Sequence, residues 1–189
     1  MIAMLANEYN SEYFVETGTY MGETVTGISP LFKHCWSIEA SEIHYGFSLY
    51  RLSPPLRTNV SLFFGESQIE LPGVLDLVKK EGDSINKPNN LIFFLDAHFS
   101  GGDGQIVTFK SESGPCPTLK ELEAIRDSGI NQSIILIDDF SSFGVSKGYP
   151  SDNDVIDVVK QINPNYRMVY IPEIDCLKVS LHSGIGGDL

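Results

Sequence analysis

The chain has only three cysteines, Cys35, Cys116 and Cys176. They are odd in number, widely spaced and without a CxxC pair, which argues against a disulfide framework and against structural zinc. Reduced thiols make a cytoplasm the expected setting. Basic residues are scarce too: 13 Lys and Arg face 25 Asp and Glu, a formal charge of −12. No Lys/Arg cluster opposes that field, so phosphate backbones are repelled and no nucleic-acid partner is expected. No apolar run approaches the length of a membrane span. The start, Met1–Tyr9, carries Glu8 and lacks a signal peptide's charged n-region, so no membrane partner is expected either. Repeats, low-complexity tracts and Pro/Gly-rich linkers are also missing. One domain over residues 1–189 is the expectation, and 42% hydrophobic residues suffice to give it a core.

What is present is an alternation of short apolar runs with helical periods. Tyr13–Glu16 predicts a strand, followed by a helix from about Gly22 with Val25, Ile28 and Phe32 on one face, shortened or bent by Pro30. Cys35–Glu39 predicts a second strand, then a helix through Tyr45, Leu49 and Leu52 that stops before Pro54. Val60–Phe64 is a third strand, and Ile69–Lys80 a helix broken early by Pro72. Leu91–Leu95 and Ser133–Ile137 are apolar on both faces, as central parallel strands must be. Between them Thr118 and Glu121 have the spacing of a capping box, with Leu119, Leu122 and Ile125 sharing a face before Gly129. Ser151–Ile162 predicts a last helix, and Tyr166–Ile171 with Cys176–Leu181 a closing hairpin. The pattern specifies an α/β protein with a doubly wound, mostly parallel sheet of seven strands, an antiparallel C-terminal edge hairpin and helices on both faces. Ligands of such sheets sit outside the carboxyl ends of the strands, where strand order reverses.

The residues just after the strands are therefore the candidates for function. Glu16-Thr17-Gly18-Thr19-Tyr20-Met21-Gly22 follows the first strand. Gly18 allows a sharp turn, and Gly22 a close approach of the next helix. A dinucleotide fingerprint would want Gly at positions 20 and 23 to leave bare backbone for a pyrophosphate. Here Tyr20 and Glu23 stand there, which suits a ligand without phosphates. The second strand ends at Glu39, a candidate acceptor for both ribose hydroxyls, followed by Ala40. The third ends in Gly65-Glu66-Ser67, where a carboxylate could meet the amino group of an adenine.

On these residues the sequence resembles the class I S-adenosylmethionine-dependent methyltransferases, a Rossmann-like family. Glu16-Thr17-Gly18…Gly22 is similar to their first motif, Glu39 to the acidic residue closing strand two, and Gly65-Glu66-Ser67 to their adenine-contact motif. The resemblance runs over roughly residues 11 to 182 in the order of elements. It implies S-adenosyl-L-methionine as cofactor, held by these residues together with Thr19, Tyr20, Thr24, Ala40 and Asp96.

A second cluster follows strands four and five: Asp96-Ala97-His98 and Asp138-Asp139. Neighbouring strands would bring three carboxylates to one edge, where they raise one another's pKa unless a hard cation joins them. The arrangement resembles metal-dependent O-methyltransferases of the catechol and macrolide-sugar types. By that resemblance Asp96, Asp138 and Asp139 hold Mg²⁺, which holds two adjacent hydroxyls of a small hydroxylated acceptor, a sugar or a phenol. The alternative is that Asp138 and Asp139 cap a turn and Asp96 bonds loop amides. His98 is the candidate general base beside Asp96, although the catechol-type enzymes have a lysine where this chain has Phe99. His34, His44 and His182 read as surface residues. The stretch 99–117, with Gly101, Gly102, Gly104 and Lys110, reads as a lid over the acceptor, together with Phe140–Ser151. With little chain ahead of the first strand, acceptor recognition falls to these loops or to a second subunit, as in a homodimer. Three readings compete with methyl transfer: a metal-dependent nucleotide-sugar transferase, a non-catalytic cofactor-binding module of the same fold, and last a nicotinamide-dependent oxidoreductase.

Overall fold

A computed structural model of the chain describes residues 1–53, 58–98 and 114–181. Helix α1 (Ile2–Tyr9) leads into strand β1 (Tyr13–Thr17), and α2 (Glu23–Ile28) continues as a 3₁₀ turn, Ser29–Leu31, where Pro30 stands. Next come β2 (His34–Glu39), α3 (Glu42–Arg51), β3 (Val60–Phe64), α4 (Ser67–Lys79) and β4 (Leu91–Leu95). After residues 99–113, α5 (Thr118–Ser128) precedes β5 (Ile134–Ile137), α6 (Asp152–Ile162), β6 (Arg167–Ile171) and β7 (Cys176–Ser180). The seven strands lie in the order β3-β2-β1-β4-β5-β7-β6. The first five are parallel; β7 runs antiparallel to β5 and to β6. The doubly wound sheet with its edge hairpin is thus as expected, and its switch point falls between β1 and β4.

Alternation along the strands divides the core in two. Tyr13, Val15, Trp36, Ile38 and Phe93 pack with α4, α5 and α6 on one face. Phe14, Cys35, Ile92 and Leu136 pack with Leu5 of α1 and Val25 of α2 on the other. The ladder runs one residue past the strands, since the Asp96 amide donates to the Thr17 carbonyl (3.1 Å) and the Asp138 amide to Leu95 (3.1 Å). Glu16, Glu39, Asp96 and Asp138 therefore share a parity, and all belong to the α1–α2–α3 face.

Four local expectations are corrected. A helix, α1, precedes β1 and buries Leu5 and Ala6. The buried face of α3 is polar, His44 and Ser48, whereas Leu49 is exposed. The reason is crowding: a Cβ on Gly22 would already lie 3.1 Å from the Ser48 hydroxyl, so only a small residue fits there. Helix α4 runs unbroken through Pro72, because Leu71, Val74, Leu75 and Val78 are all buried against the sheet. Each such side chain contributes about 1.5–3 kcal/mol, together more than the roughly 3 kcal/mol that an interior proline costs. Finally, Thr118 is not an N-cap; Pro117 is, and Glu121 points inward, fully buried. No helix among the described residues is long and apolar enough to cross a membrane.

Gly18 is where β1 and β4 come closest to the turn. It has φ +82°, and a Cβ there would meet the Asp96 carbonyl oxygen at 2.2 Å and the Ala97 Cα at 3.0 Å. Both strands would have to part. Gly18→Ala is expected to lose about 3 kcal/mol or more in urea unfolding, from the backbone strain and the overlap together. Gly27→Ala, in helix α2 with nothing within 4 Å of the added carbon, is expected to be neutral or to gain up to about 1 kcal/mol.

Candidate active site at the switch point

The turn after β1 is held from beneath by hydroxyls and carboxyls. Glu16 is buried, and Ser37 Oγ donates to its Oε2 at 2.6 Å; Thr19 Oγ1 in turn lies 2.6 Å from Ser37 Oγ. Burial pushes the Glu16 carboxyl up to about 8, with the nearby Glu39 charge adding to the shift against the Ser37 bond. At neutral pH Glu16 therefore holds a proton much of the time.

Glu39 ends β2 and is also buried. Its Oε2 accepts the Tyr20 amide (2.7 Å) and its Oε1 the Ser41 amide (2.7 Å). Burial raises this carboxyl, while the two amides and the nearby His44 oppose the rise. Each oxygen keeps one lone pair for a further donor. Tyr20 itself has φ +50°, a left-handed conformation that costs a side-chain-bearing residue about 1–2 kcal/mol. Its amide is fixed by Glu39 and its carbonyl by the Ser48 hydroxyl (2.8 Å). Its ring, half exposed, lies 4.6 Å from the ring of His44. His44, read from the sequence as a surface residue, is buried, and neither ring nitrogen has a partner among the described residues. His34 is half-buried and bonded to Ser61 (2.9 Å), and His182 lies outside the described residues.

Gly22 is the left-handed N-cap of α2, Thr24 stands in the first turn of that helix, and Ala40 follows Glu39 in the chain. After β3, Gly65 has φ +151°, and Glu66 forms the N-cap of α4, where its carboxylate accepts the Gln68 amide. Thr17 and Ser67 are buried, but on the opposite face of the sheet from Glu16.

At the ends of β4 and β5, Asp96 stands well above the carboxylate range through burial, then through Asp138, Glu16 and Asp139, and donates to Asp138. Asp138 is also raised by burial, with His98 opposing. His98 spans the cluster: Nδ1 is 3.3 Å from Asp96 and Nε2 2.8 Å from Asp139. Asp139 is held in the left-handed region (φ +51°). Behind it, the β6–β7 turn residue Asp175 accepts the Ser141 amide (2.8 Å), the Ser141 hydroxyl (2.6 Å) and the Tyr170 hydroxyl (2.9 Å), and its carbonyl accepts the Phe140 amide (3.0 Å). Tyr149, whose phenol burial pushes up to about 12, sits with its ring 6.4 Å from His98.

The donor set is chemically right for a hard cation, three carboxylates. Yet no group of three or more His, Cys, Asp or Glu side chains among the described residues is arranged to hold a metal. A proton between Asp96 and Asp138 and the His98 contacts already occupy the cluster; a cation would require Asp96 to lose its proton and His98 to turn out. Phe99, Gly101, Gly102, Gly104 and Lys110 of the expected lid lie outside the described residues. Sequence reasoning missed Ser37, His44, Ser48 and Asp175. A small residue one turn after His44, facing the Gly22 bend, was the available signal for two of them.

No protein-family model matches the chain, and no curated protein sequence does. Solved structures do. A Podospora anserina methyltransferase bound to SAH (S-adenosylhomocysteine) superposes with a TM-score of 0.62 at 14% identity, over 96% of this chain and 76% of that one. A Bacillus cereus O-methyltransferase in complex with SAH gives 0.55 at 14%, over 95% and 78%. The Streptomyces achromogenes O-methyltransferase TomG, involved in tomaymycin synthesis and solved with SAM (S-adenosylmethionine), gives 0.54 at 11%, over 97% and 78%. The chain has the fold of these proteins.

The raised Glu16 carboxyl sets a pH dependence. The folded state binds its proton more tightly than the unfolded chain, so the Glu16 contribution to stability is fully present below about 4.5 and is lost as pH rises through about 8. The expected loss is on the order of a few kcal/mol at most. In urea unfolding at pH 5 and pH 8, Glu16→Gln should show a shallower fall than the wild type. The slope does not vanish, because Asp96 and Glu121 are raised in the same sense.

Proposed function

We propose that the chain is an S-adenosyl-L-methionine-dependent methyltransferase acting on a hydroxyl of a small polyhydroxylated acceptor, a sugar or a phenol. The observation that carries this reading is the gathering of Glu16, Glu39 and Asp96 in one acidic pocket at the switch point. Such a pocket suits a ligand carrying sulfonium and ammonium charges. A bound cation would draw the protons off Glu16 and Asp96; at an effective dielectric of 20 one charge pair at about 4 Å is then worth roughly 4 kcal/mol, less the cost of that deprotonation, whereas a pyrophosphate gains no such pair. The fold supports it too, since proteins that share it are solved with SAM or SAH.

In this reading Glu39 uses its remaining lone pairs for the ribose hydroxyls, Glu66 meets the adenine amino group, and Glu16 with Thr19 lies toward the methionine end. Gly18, Tyr20, Gly22, Thr24, Ala40 and Gly65 shape the cradle, while Thr17 and Ser67 lie beneath it on the other face. The cofactor supplies an electrophilic methyl group on sulfur. His98 is the group placed to take the acceptor proton: Asp96 would hold Nδ1 (3.3 Å) while Nε2, now 2.8 Å from Asp139, turned to the acceptor oxygen. What the protein adds is alignment of oxygen, carbon and sulfur, and exclusion of competing water. Asp96, Asp138 and Asp139 are the residues that would hold Mg²⁺, an ion that lowers the pKa of a bound hydroxyl.

Calorimetry with S-adenosylhomocysteine, NAD and UDP tests the assignment. Binding of the first alone is expected, and silence with it removes the proposal. Glu39→Ala should weaken S-adenosylhomocysteine by about tenfold or more, the cost of a lost charge-assisted bond; unchanged affinity rejects the ribose role. For the metal, a thermal melt should rise with Mg²⁺ in the wild type but not in Asp138→Ala. Equal shifts in both reject that ligand set.

A further inference from the structure

Under the two cofactor loops, on the face away from Glu16, lies a polar site that the pocket above does not use. Glu121 reaches it from the first turn of α5, Thr17 from the last residue of β1, and Ser67 from the first residue of α4. Their exposures are 0%, 0% and 4%. Both carboxyl oxygens of Glu121, the Thr17 hydroxyl and the Ser67 hydroxyl lack a hydrogen-bond partner among the described residues. The two hydroxyls nonetheless neighbour the carboxyl and are the groups that temper its rise to about 7 on burial.

Packing alone gives no reason for a carboxyl here. Leu71, Leu122 and Ile125 around it are all fully buried apolar residues of the same core, and an aliphatic side chain would serve that core better. What distinguishes the position is its neighbours. Thr17 immediately precedes the Gly18 turn, and Ser67 immediately follows Gly65-Glu66. Buried polar atoms meeting at one point are satisfied by one another or by a shared internal water. Either arrangement ties the two loops together through the acid.

We infer that Glu121 is a positioning residue for the nucleoside pocket, coupling the turn after β1 to the start of α4 through Thr17 and Ser67. The coupling of the loops stands on the geometry; its bearing on a nucleoside rests on the proposed function. The carboxyl touches no ligand. It fixes where the amides of Gly18 and Thr19, both bonded to the Ile38 carbonyl (2.9 and 3.2 Å), stand relative to the first turn of α4, closed by the Ile69 and Glu70 amides on the Glu66 carbonyl (2.9 and 3.0 Å).

Two variants of the full chain test this. E121Q keeps hydrogen bonding without charge, and E121L fills the space with none. E121L is expected to melt at or above the wild-type temperature, since a buried acid has gone. Its amide hydrogen exchange should nevertheless quicken about tenfold at Gly18, Thr19, Ile69 and Glu70 only, and its affinity for S-adenosylhomocysteine should fall about tenfold. E121Q should keep wild-type exchange and affinity within about twofold. The inference is overturned if E121L exchanges and binds like the wild type, if it unfolds or loosens the whole sheet, or if E121Q loosens the loops as E121L does. If the wild type itself ignores S-adenosylhomocysteine, the methyltransferase reading fails, and the local exchange pattern still decides whether Glu121 couples the loops.

Discussion

Burying a carboxyl without a lysine or arginine beside it is the constraint around which this molecule is arranged. Glu16, Glu39, Asp96 and Asp138 are each raised first of all by burial, and the described residues place no lysine or arginine beside them. Taking a carboxylate out of water costs several kcal/mol unless it is neutralised or fully hydrogen-bonded. The chain answers with protons, hydroxyls and amides: a Thr19–Ser37–Glu16 relay, two backbone amides on Glu39, a shared proton between Asp96 and Asp138. None of these answers is a permanent charge. The pocket therefore stays receptive to a cation arriving from outside, which ties the energetics of the fold to the kind of ligand proposed for it.

The same economy governs the backbone. Tyr20 is the one residue other than Gly, Asn or Asp with a left-handed conformation among the described residues. Its strain is offset by the Glu39 and Ser48 bonds, which come from β2 and α3, elements that follow it in sequence. Those contacts need α3 to approach the turn closely, and that approach explains why its inner face carries Ser48 rather than a leucine. A carboxylate already carrying two amides is also better pre-organised for ribose than a free one, because its orientation is fixed before any ligand arrives.

How much of this was legible follows from which signals are local. The central strands could be read directly because both their faces are buried, leaving runs such as Leu91–Leu95 and Ile134–Ile137 with no polar residue. Their carboxyl ends were then fixed by the parallel order, so Glu16, Glu39, Asp96 and Asp138 could be grouped before any coordinates. What could not be read was direction. Glu121 has the spacing of a capping residue, and the same spacing serves an acid pointing into the core. His44 looks like a surface histidine because nothing in the sequence says that a ring from another loop covers it. Helix α1 buries only Leu5 and Ala6, too little for a period to stand out, and the proline in α4 is outweighed by a tertiary surface that no local rule contains.

The His98 cluster raises a choice that the geometry narrows. One of the two anchors of the imidazole is Asp139, and Asp139 is held from the side of the β6–β7 turn. Its left-handed backbone leads into Phe140 and Ser141, both bound to Asp175 in the β6–β7 turn, and that hairpin is registered on β5 through Ile135, Leu136 and Ile137. The anchor is thus part of the sheet. Asp96, the second anchor, is bonded through its amide to Thr17 on β1. An imidazole caught between two sheet-borne carboxyls takes its place from the sheet. A divalent cation would have to win Asp96 and Asp139 from a group that the fold itself positions. Metal and imidazole are therefore alternatives for the same two carboxyls, and His98 can take a proton only by turning one nitrogen away from them.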